Sequence, residues 1–392
     1  MKLWEKGYSP NETIEEFTVG KDPILDMELL PYDIAGSKAH ALVLKEAGVL
    51  TEVETGKIIA ELDEIRSLAE DGSFVISVSD EDCHTAIENR LTQKLGDIGK
   101  KIHTARSRND QVLTAMRLLQ KDKILQIKLQ LDELLKAFQT FSVDNDNVPM
   151  PGFTHTRKAM PYTLKKWILS FSDSLRDDMF LIDAALKMLD QNPLGTGAGY
   201  DVPFPLDREI STTELGFSRT MNSAMYAQNS RGKIEAATLF ACSSVLMTLN
   251  KWAADIILYT MPEFNYFKLE DSLTTGSSIM PHKKNPDVLE LIRSSVHQLA
   301  SYQQHVQSTT LNLMSGYHRD VQLTKEPILN GLATTASVLE VSKIVISGLK
   351  VNQLGLNEAM TDDLFSVEKV YELVQRGVPF REAYKIIASE IF

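Results

Sequence analysis

The segment Ser107–Phe141, SRNDQVLTAMRLLQKDKILQIKLQLDELLKAFQTF, contains neither glycine nor proline. Its second half carries apolar residues at alternating steps of four and three, namely Ile127, Leu131, Leu134, Phe138 and Phe141. That spacing puts them on one face of an α-helix and predicts a long helix buried against neighbouring helices. The segment therefore favours a mainly α fold.

Four further segments support the same fold class. One helix is predicted to begin near Pro161, because proline suits the first turn of a helix. Its apolar face is predicted to consist of Leu164, Ile168, Phe171, Leu175, Met179, Ile182, Leu186 and Leu189. Other long helices are predicted from about Arg231 to Tyr259, after Pro286 and after Pro327. Several matched helices of this length predict an elongated bundle; the best strand candidate is the short run 74–78, FVISV.

Composition is that of a packed globular protein. The chain has 392 residues, of which 43% are hydrophobic and 24% charged, and this length predicts two or three domains. The formal net charge of −12 argues against nucleic acid or an anionic membrane as a general partner. An anionic substrate would therefore need a locally basic pocket.

Cysteine usage and hydropathy predict the compartment. The two cysteines, Cys83 and Cys242, exclude a disulfide framework. The first residues, MKLWEK, lack the apolar stretch of a signal peptide, and no apolar run looks long enough to span a bilayer. We therefore expect a cytoplasmic protein without a membrane partner.

Three segments rich in glycine, proline and polar residues separate the predicted helices. They are residues 147–155, 192–199 and 275–286. Binding groups often lie on such loops. The glycine-rich run 194–199 lacks the strand–turn–helix context and the Lys-Ser/Thr pair of a phosphate-binding loop, so we do not expect it to bind phosphate.

The third loop, TGSSIMPHKKNP at 275–286, combines three hydroxyl groups, two lysines and an amide with two prolines. Proline denies backbone donors to regular structure, so these groups are presented on a loop, where they suit a small anionic ligand. An ordinary polar loop is the alternative explanation. The pattern resembles the signature of the fumarase/aspartase superfamily, whose members cleave C–N or C–O bonds by elimination and release fumarate.

Five other segments resemble one branch of that superfamily, the argininosuccinate lyases, which are relatives of the delta-crystallins. They are TARSRNDQV at 104–112, GFTHTRKAMP at 152–161, SGYHRDVQLTK at 315–325, EDCHTAIE at 81–88 and YDIAGSKAH at 32–40. The similarity extends from Trp4 to at least Lys325. The chain departs from the family at Arg157 and Met160, where glutamine is usual, and at Asn229 and Gly232, where acidic residues are common.

The resemblance implies a fold and an assembly. It predicts a three-domain fumarase/aspartase-like fold with an N-terminal helical domain (1–104), a central long-helix bundle (105–345) and a shortened C-terminal helical domain (346–392). The central bundle is expected to assemble in a homotetramer whose active sites draw loops from three subunits. The implied reaction is the reversible elimination of argininosuccinate to arginine and fumarate, with no cofactor.

The resemblance also assigns site residues. Ser277 is expected to be the base and His155 the acid or part of a proton relay with Glu290, although the reverse assignment of Ser277 and His155 stays open. Lys283 is expected to assist catalysis. The expected substrate-binding residues are Ser37, Ser107, Arg108, Asn109, Thr154, Arg231, Asn285, Tyr317, Gln322 and Lys325.

No metal site is expected, because His84 and its acidic neighbours fit neither a helical zinc motif nor a cysteine cluster. Two other functions stay open. One is another fumarate-releasing lyase, such as an adenylosuccinate lyase, an aspartase or a fumarase. The other is a scaffold protein that keeps the fold without turnover, as lens crystallins do. The segments 106–112 and 315–325 favour argininosuccinate over other substrates, and the retained polar residues argue against a pure scaffold.

Overall fold

A computed structural model describes residues 11–391 and shows a mainly α protein. The helices in this range are α1 Glu12–Val19, α2 Asp22–Glu46, α3 Glu52–Glu70, α4 Cys83–Leu95, α5 Asp97–Lys100, α6 Arg108–Asp144, α7 Leu164–Leu189, α8 Arg208–Glu214, α9 Ala224–Asn229, α10 Lys233–Tyr259, α11 Asp287–Thr310, α12 Lys325–Ser347, α13 Gln353–Ala359, α14 Ser366–Gln375 and α15 Phe380–Ile391. The strands are β1 Pro149–Thr154, β2 Arg157–Thr163, β3 Phe267–Leu269, β4 Thr275–Gly276, β5 Lys284–Asn285 and β6 Leu349–Val351. Trp4, where the family similarity begins, lies outside the described residues.

The long helices confirm the periodicity analysis. Helix α6 is 37 residues long, and the five apolar residues predicted on its buried face are all buried. Ser107 caps this helix, since its Oγ accepts a hydrogen bond from the Asn109 backbone N–H at 3.3 Å. Helix α10 ends at Tyr259, shortly before Pro262, as proline's effect on the preceding residue predicts.

Two local predictions were wrong. Pro161 does not start a helix: it pairs with Pro151 in an antiparallel hairpin of β1 and β2, and α7 begins three residues later at Leu164. The run 74–78 forms no strand but leads into a short 3₁₀ turn at Val78–Asp80. In the second case β-branched residues signalled strand propensity, but among residues 11–391 no strand pairs with this run to satisfy its backbone donors and acceptors.

The described residues form two compact units, each built from separate stretches of chain. Unit 1 contains residues 11–126, 182–241 and 300–333, and unit 2 contains residues 127–181, 242–299 and 334–391. This grouping divides α6, α7, α10, α11 and α12 rather than following the chain. The division into domains 1–104, 105–345 and 346–392 therefore stays a prediction.

Each unit has its own packed interior. In unit 1 the apolar face of α2 is fully buried, with Leu29, Leu30, Ile34 and Leu44 at zero exposure. Unit 2 centres on aromatic side chains. Phe138 and Trp252 have ring centroids 5.4 Å apart, while Trp167 lies 5.3 Å from Phe267. Such pairs add stability beyond the area that they bury.

By length and apolar character alone, the stretch Arg319–Ser347 qualifies as a possible membrane span, which corrects the expectation that no run is long enough. Half of its most apolar window is buried inside the protein. Core helices of water-soluble proteins give the same signal, so this stretch is weak support for a membrane segment.

Candidate active site

A small cavity in unit 1 gathers most of the predicted substrate-binding residues. Its volume is about 120 Å³. A single water molecule needs only ~10–15 Å³ of such space, so the cavity has room for a polar ligand group. The lining residues are Asp22, Asp26, Asp82, His84, Arg108, Asn109, Val112, Arg231, Tyr317, Arg319, Gln322 and Lys325. Of the predicted binding residues in unit 1, only Ser37 and Ser107 are absent from this lining.

Lys325 forms deeply buried ion pairs in the lining of the cavity. Its Nζ lies 2.9 Å from Asp22 and bonds Asp26, which is fully buried. Burial alone lowers the pKa of Lys325, but the two carboxylates outweigh it and raise the pKa above its usual value. Burial likewise raises the pKa of Asp22, against the opposing effect of Lys325. Lys325 therefore stabilises the start of α2 as well as lining the cavity.

Arg108 is held by two acidic residues at the start of α4. Its Nη1 lies 2.9 Å from both Glu81 and Asp82. Asp82 also accepts a hydrogen bond from the Thr85 N–H at 2.8 Å, so it is the cap of α4. The beginnings of α4 and α6 are thereby joined at one side of the cavity, with Asn109 beside Arg108 on its wall.

Arg231 and Tyr317 form a second pair of predicted residues in the lining. The Arg231 guanidinium carbon lies 5.4 Å from the centroid of the Tyr317 ring, a cation–π distance. Asn229 supports this pair: its Oδ1 accepts a hydrogen bond from the Gly316 N–H at 2.9 Å. Asn229, where the family commonly has an acidic residue, thus holds the loop that carries Tyr317.

Gly232 is required by the backbone next to Arg231. Its φ is +78°, and a Cβ there would lie 2.2 Å from Cγ2 of Thr310. A larger residue would be both strained and in collision. Gly232, where the family commonly has an acidic residue, is therefore explained by the backbone conformation and packing of this chain.

Gln322 lines the cavity and also bonds the end of α1. Its Nε2 donates to the carbonyl oxygens of Thr18 and Val19, each at 3.2 Å, and Arg319 donates to Thr18 O at 2.7 Å. These carbonyls end α1 and lack helical partners. Gln322 therefore anchors α1 at the edge of the cavity while lining it.

Ser37 and Ser107 both make hydrogen bonds within the protein outside the cavity lining. Ser37 is fully buried and accepts a hydrogen bond from Arg106 Nη1 at 2.9 Å, so it is not placed to touch a ligand in the cavity. Ser107 caps α6 and donates its backbone N–H to Asp110 Oδ1 at 3.0 Å. A substrate-binding role for Ser37 and Ser107 therefore stays a prediction.

Asp110 connects the start of α6 to the glycine-rich loop. Its Oδ2 accepts the backbone N–H groups of Gly195 at 3.0 Å and Gly197 at 2.8 Å. Burial raises the pKa of Asp110 to about 6, although these hydrogen bonds act in the opposite direction. The glycine loop thus binds an internal carboxylate.

Asp33, Cys83 and His84 lie close enough to suggest a metal site, with ligand atoms within 4.8 Å of one another. His84 Nδ1 lies 2.9 Å from Asp33 Oδ2. This ion pair already engages one ligand atom of His84 and one of Asp33. Burial raises the pKa of the Cys83 thiol, and the nearby carboxylates raise it further, so the thiolate that binds metals is disfavoured. An ion pair accounts for the cluster, and we propose no metal there.

The Gly-Ser-Ser loop lies in unit 2 and is closed by a two-residue ladder. Thr275 pairs with Asn285 and Gly276 with Lys284, so residues 277–283 project from a β4–β5 hairpin. Ser277 Oγ accepts hydrogen bonds from the backbone N–H groups of Met280 at 3.1 Å and Ile279 at 3.4 Å. These donors favour a partial negative charge on the serine oxygen.

An adjoining groove in unit 2 brings together three predicted site residues. Lys283, Asn285 and Glu290 all line it, together with Lys268 and Thr274. Glu290 lies in the first turn of α11, and its side chain is exposed. The groove therefore offers an ammonium, an amide and a carboxylate next to the serine loop.

Thr154 and His155 lie at the tip of the β1–β2 hairpin and are both exposed. His155 and Thr156 have φ values of +52° and +57°, the left-handed geometry of a two-residue hairpin turn. A β-branched residue rarely adopts it, so the turn carries backbone strain. Among the described residues, no hydrogen bond or ion pair joins His155 to Glu290, so the predicted relay is not formed in this structure.

Several of the lining residues that sequence reasoning missed are acidic. Asp22 and Asp26 are a like-charged pair four residues apart on α2, an arrangement that is unfavourable on a helix without a cation. The four-residue spacing of Asp22 and Asp26 was the sequence signal that could have predicted a lysine or arginine buried between them. Asp82 and Arg319 were likewise not predicted to contact a ligand.

Comparison with known proteins places this arrangement in a family. A lyase family profile matches residues 14–300. The argininosuccinate lyase of Thermotoga neapolitana is 47% identical over 389 residues, which cover 99% of this chain and 98% of that protein. The argininosuccinate lyase of Phocaeicola vulgatus is 42% identical over 390 residues, covering 100% of this chain and 87% of that protein.

Solved structures agree in fold. An EDDS lyase variant with bound fumarate superimposes with a TM-score of 0.83 at 22% identity, covering 98% of this chain and 76% of that chain. A fumarate lyase related to delta crystallin from Brucella melitensis, bound to cobalt, gives a TM-score of 0.80 at 20% identity, with coverage of 96% and 87%. Near-complete alignment with the two argininosuccinate lyases, on a fumarate-lyase fold, shows that the chain belongs to the argininosuccinate lyase family.

Proposed function

We propose that the protein is a carbon–nitrogen lyase that reversibly converts L-argininosuccinate to L-arginine and fumarate, the last step of arginine biosynthesis. The observation that carries the catalytic part of this proposal is the hydrogen bonding of Ser277. Its Oγ faces two backbone N–H groups in an exposed loop, beside a groove lined by Lys283 and Asn285.

The reaction explains why such groups are needed. Breaking the C–N bond requires removal of a proton from the carbon next to a carboxylate, and that proton is very weakly acidic. The resulting carbanion is stabilised as an aci-carboxylate, which carries an extra negative charge. Fixed donors and cations directed at this carboxylate lower the barrier most in a site closed to water.

Ser277 serves as the base in this proposal. A serine hydroxyl is a poor base unless its anion is stabilised, and the N–H groups of Ile279 and Met280 supply that stabilisation. Lys283 lies in the same loop and adds a positive charge. Lys283 and Asn285 then serve as donors to the succinyl carboxylate that gains charge, with Thr154 contributing a hydroxyl.

His155 serves as the acid for the departing nitrogen, with Glu290 as its relay partner in the assembled site. Both side chains are exposed in this chain, where they are accessible to another subunit. The opposite assignment, with His155 as base and Ser277 as donor, is distinguished by solvent-isotope and pH–rate measurements on the two single variants.

The arginine half of the substrate is assigned to the cavity in unit 1. Its lining combines cations with the carboxylates of Asp22, Asp26 and Asp82, which suits a ligand that carries a guanidinium, an ammonium and a carboxylate. Arg108, Asn109, Arg231, Tyr317, Gln322 and Lys325 are the predicted residues found there. Charged hydrogen bonds of this type give both affinity and orientation.

We further propose a cytoplasmic homotetramer in which loops of three subunits complete each site. The exposed positions of the serine loop and of the β1–β2 hairpin support this assembly, because both carry proposed catalytic groups on accessible surfaces. No cofactor is required by the proposed steps.

Fumarate release tests the proposed function. The purified protein is incubated separately with argininosuccinate, adenylosuccinate, aspartate and malate, and the ultraviolet absorbance of fumarate is followed. We expect turnover with argininosuccinate and formation of argininosuccinate from arginine plus fumarate. Turnover only with another substrate would reassign the enzyme within the superfamily, and no turnover with any would support a non-catalytic scaffold.

A further inference from the structure

Two buried nitrogen atoms in the lining of the unit 1 cavity lack a partner within the described chain. They are Nε2 of His84 and Nη1 of Arg231. Buried donors are nearly always hydrogen-bonded, since leaving one unpaired costs ~1–3 kcal/mol and more when the group is charged. Two such donors in the same cavity point to a ligand that supplies acceptors.

His84 is fixed in one orientation by its other ring nitrogen. Nδ1 lies 2.9 Å from Asp33 Oδ2, and the side chain is only 3% exposed. Burial lowers the pKa of His84, but the charge of Asp33 and the hydrogen bond to it outweigh this effect and raise the pKa. In the imidazolium form that Asp33 favours, both ring nitrogens carry hydrogen, and Nε2 is a cationic donor in the lining of the cavity.

Arg231 is held from another side. Its guanidinium makes a cation–π contact with Tyr317, and the Tyr317 loop is itself fixed by Asn229. This contact leaves Nη1 of Arg231 without a hydrogen-bond acceptor among the described residues. His84 and Arg231 are thus two positioned cationic donors, each immobilised by a contact that is not the ligand.

The other cations of the cavity are already paired. Lys325 bonds Asp22 and Asp26, while Arg108 bonds Glu81 and Asp82. Arg319 contacts Gln322 and the end of α1. A carboxylate entering the cavity therefore finds its unpaired donors at His84 and Arg231.

We propose that His84 and Arg231 form the subsite that binds the α-carboxylate of the arginine half of the substrate. This inference rests on the proposed function and adds the residues that recognise the amino-acid end of arginine. The nearby carboxylates of Asp22, Asp26 and Asp82 complement the cationic groups of the same ligand. The enzyme should accordingly distinguish arginine from agmatine, which has the same guanidinium but no carboxylate.

The test is calorimetric titration of the assembled enzyme with L-arginine, agmatine and fumarate. We expect the wild-type protein to bind arginine roughly 10- to 100-fold more tightly than agmatine, since that is the range for a hydrogen bond to a charged group. His84→Gln should reduce this preference by about tenfold or more while leaving agmatine and fumarate affinity little changed.

A matched control and a second variant protect the test from folding effects. His40 is also buried in unit 1, but its Nε2 is bonded to Thr104 O at 2.9 Å and it does not line the cavity, so His40→Gln should keep the arginine preference. If His84→Gln does not fold, the double variant Asp33→Asn, His84→Gln removes the buried unpaired charge. Arg231→Gln should also weaken arginine more than agmatine.

Each outcome has a distinct meaning. An unchanged arginine preference in a folded His84 variant overturns the subsite. Loss of fumarate affinity in place of arginine affinity overturns the assignment to the arginine carboxylate. Failure of wild-type turnover on argininosuccinate would instead refute the proposed function, whereas an active wild type with an insensitive His84 variant refutes the subsite alone.

Discussion

At the scale of single residues, the buried ion pairs of unit 1 join stability to ligand binding. Lys325 was predicted to hold the substrate, and the structure gives it two structural partners as well. Removing one member of a buried pair leaves an uncompensated charge, which costs far more than the pair itself contributes. A substitution at such a residue therefore changes folding and affinity together.

We expect Lys325→Ala to lower the free energy of unfolding by roughly 3–5 kcal/mol, because fully buried Asp26 loses its cation. Urea denaturation of the assembled protein measures this. Lys343→Ala, which breaks an exposed pair with Glu133, is the control and should leave the midpoint nearly unchanged. Equal effects of the two variants would show that Asp26 does not depend on Lys325.

His40 should make stability fall in acid. Burial lowers its pKa to about 3, so the folded state stays neutral while the unfolded state takes up a proton near the usual pKa of ~6.5. The unfolded state then binds more protons, and stability is lost as the pH falls from about 6.5 towards 3. Between pH 7 and pH 5 this contribution amounts to about 2 kcal/mol.

His40→Gln should remove this acid sensitivity. The wild-type and variant urea midpoints are compared at pH 7 and pH 5, so that titrations common to both proteins cancel. A variant that loses as much stability as the wild type would indicate that His40 is protonated in the folded protein.

At the scale of elements, the sequence was a good guide to helices and a poor one to the short β-ladders. Alternating steps of three and four placed the buried face of α6, because helical periodicity is a local property. The β1–β2 hairpin was missed because its prolines suggested a loop and a helix start, while its pairing depends on contacts across the turn. Asp22 and Asp26 were missed for a similar reason: their role depends on Lys325, which lies some 300 positions further along the chain.

The serine loop gives the element-scale prediction. Ser277→Ala should fold normally, because the loop is accessible, and should lower kcat by roughly 10²–10⁴-fold if Ser277 transfers the proton. Ser278→Ala removes a neighbouring exposed hydroxyl and serves as the matched control, with turnover close to wild type. Steady-state fumarate release with argininosuccinate distinguishes them; near-wild-type kcat in Ser277→Ala would exclude Ser277 as the base.

At the scale of the whole molecule, the proposed tetramer explains why catalytic groups occupy exposed positions. His155 lies at a hairpin tip and Ser277 on a loop, and neither is enclosed in the chain itself. Accessible catalytic groups without a surrounding pocket are uncommon, since enzymes act in sites that exclude water. A site completed by other subunits resolves this difficulty.

Mixed assemblies test the shared site. Two inactive variants, His155→Asn and Ser277→Ala, are dissociated, mixed and reassembled; on the order of one quarter of the sites should then contain both intact groups if hairpin and loop come from different subunits. Ser277→Ala mixed with Lys283→Met is the control, because both changes lie in one loop. Equal absence of recovery in the two mixtures would place hairpin and loop of each site in the same subunit.

The left-handed turn at His155 and Thr156 has a consequence for protein engineering. Asn-Gly is the pair that such a turn prefers, so a design procedure that optimises backbone preference would replace both residues and relieve the strain. The more thermostable protein obtained in this way would lack the proposed proton donor. Selection for heat resistance alone would therefore favour hairpin sequences that lack His155 and its proposed catalytic role.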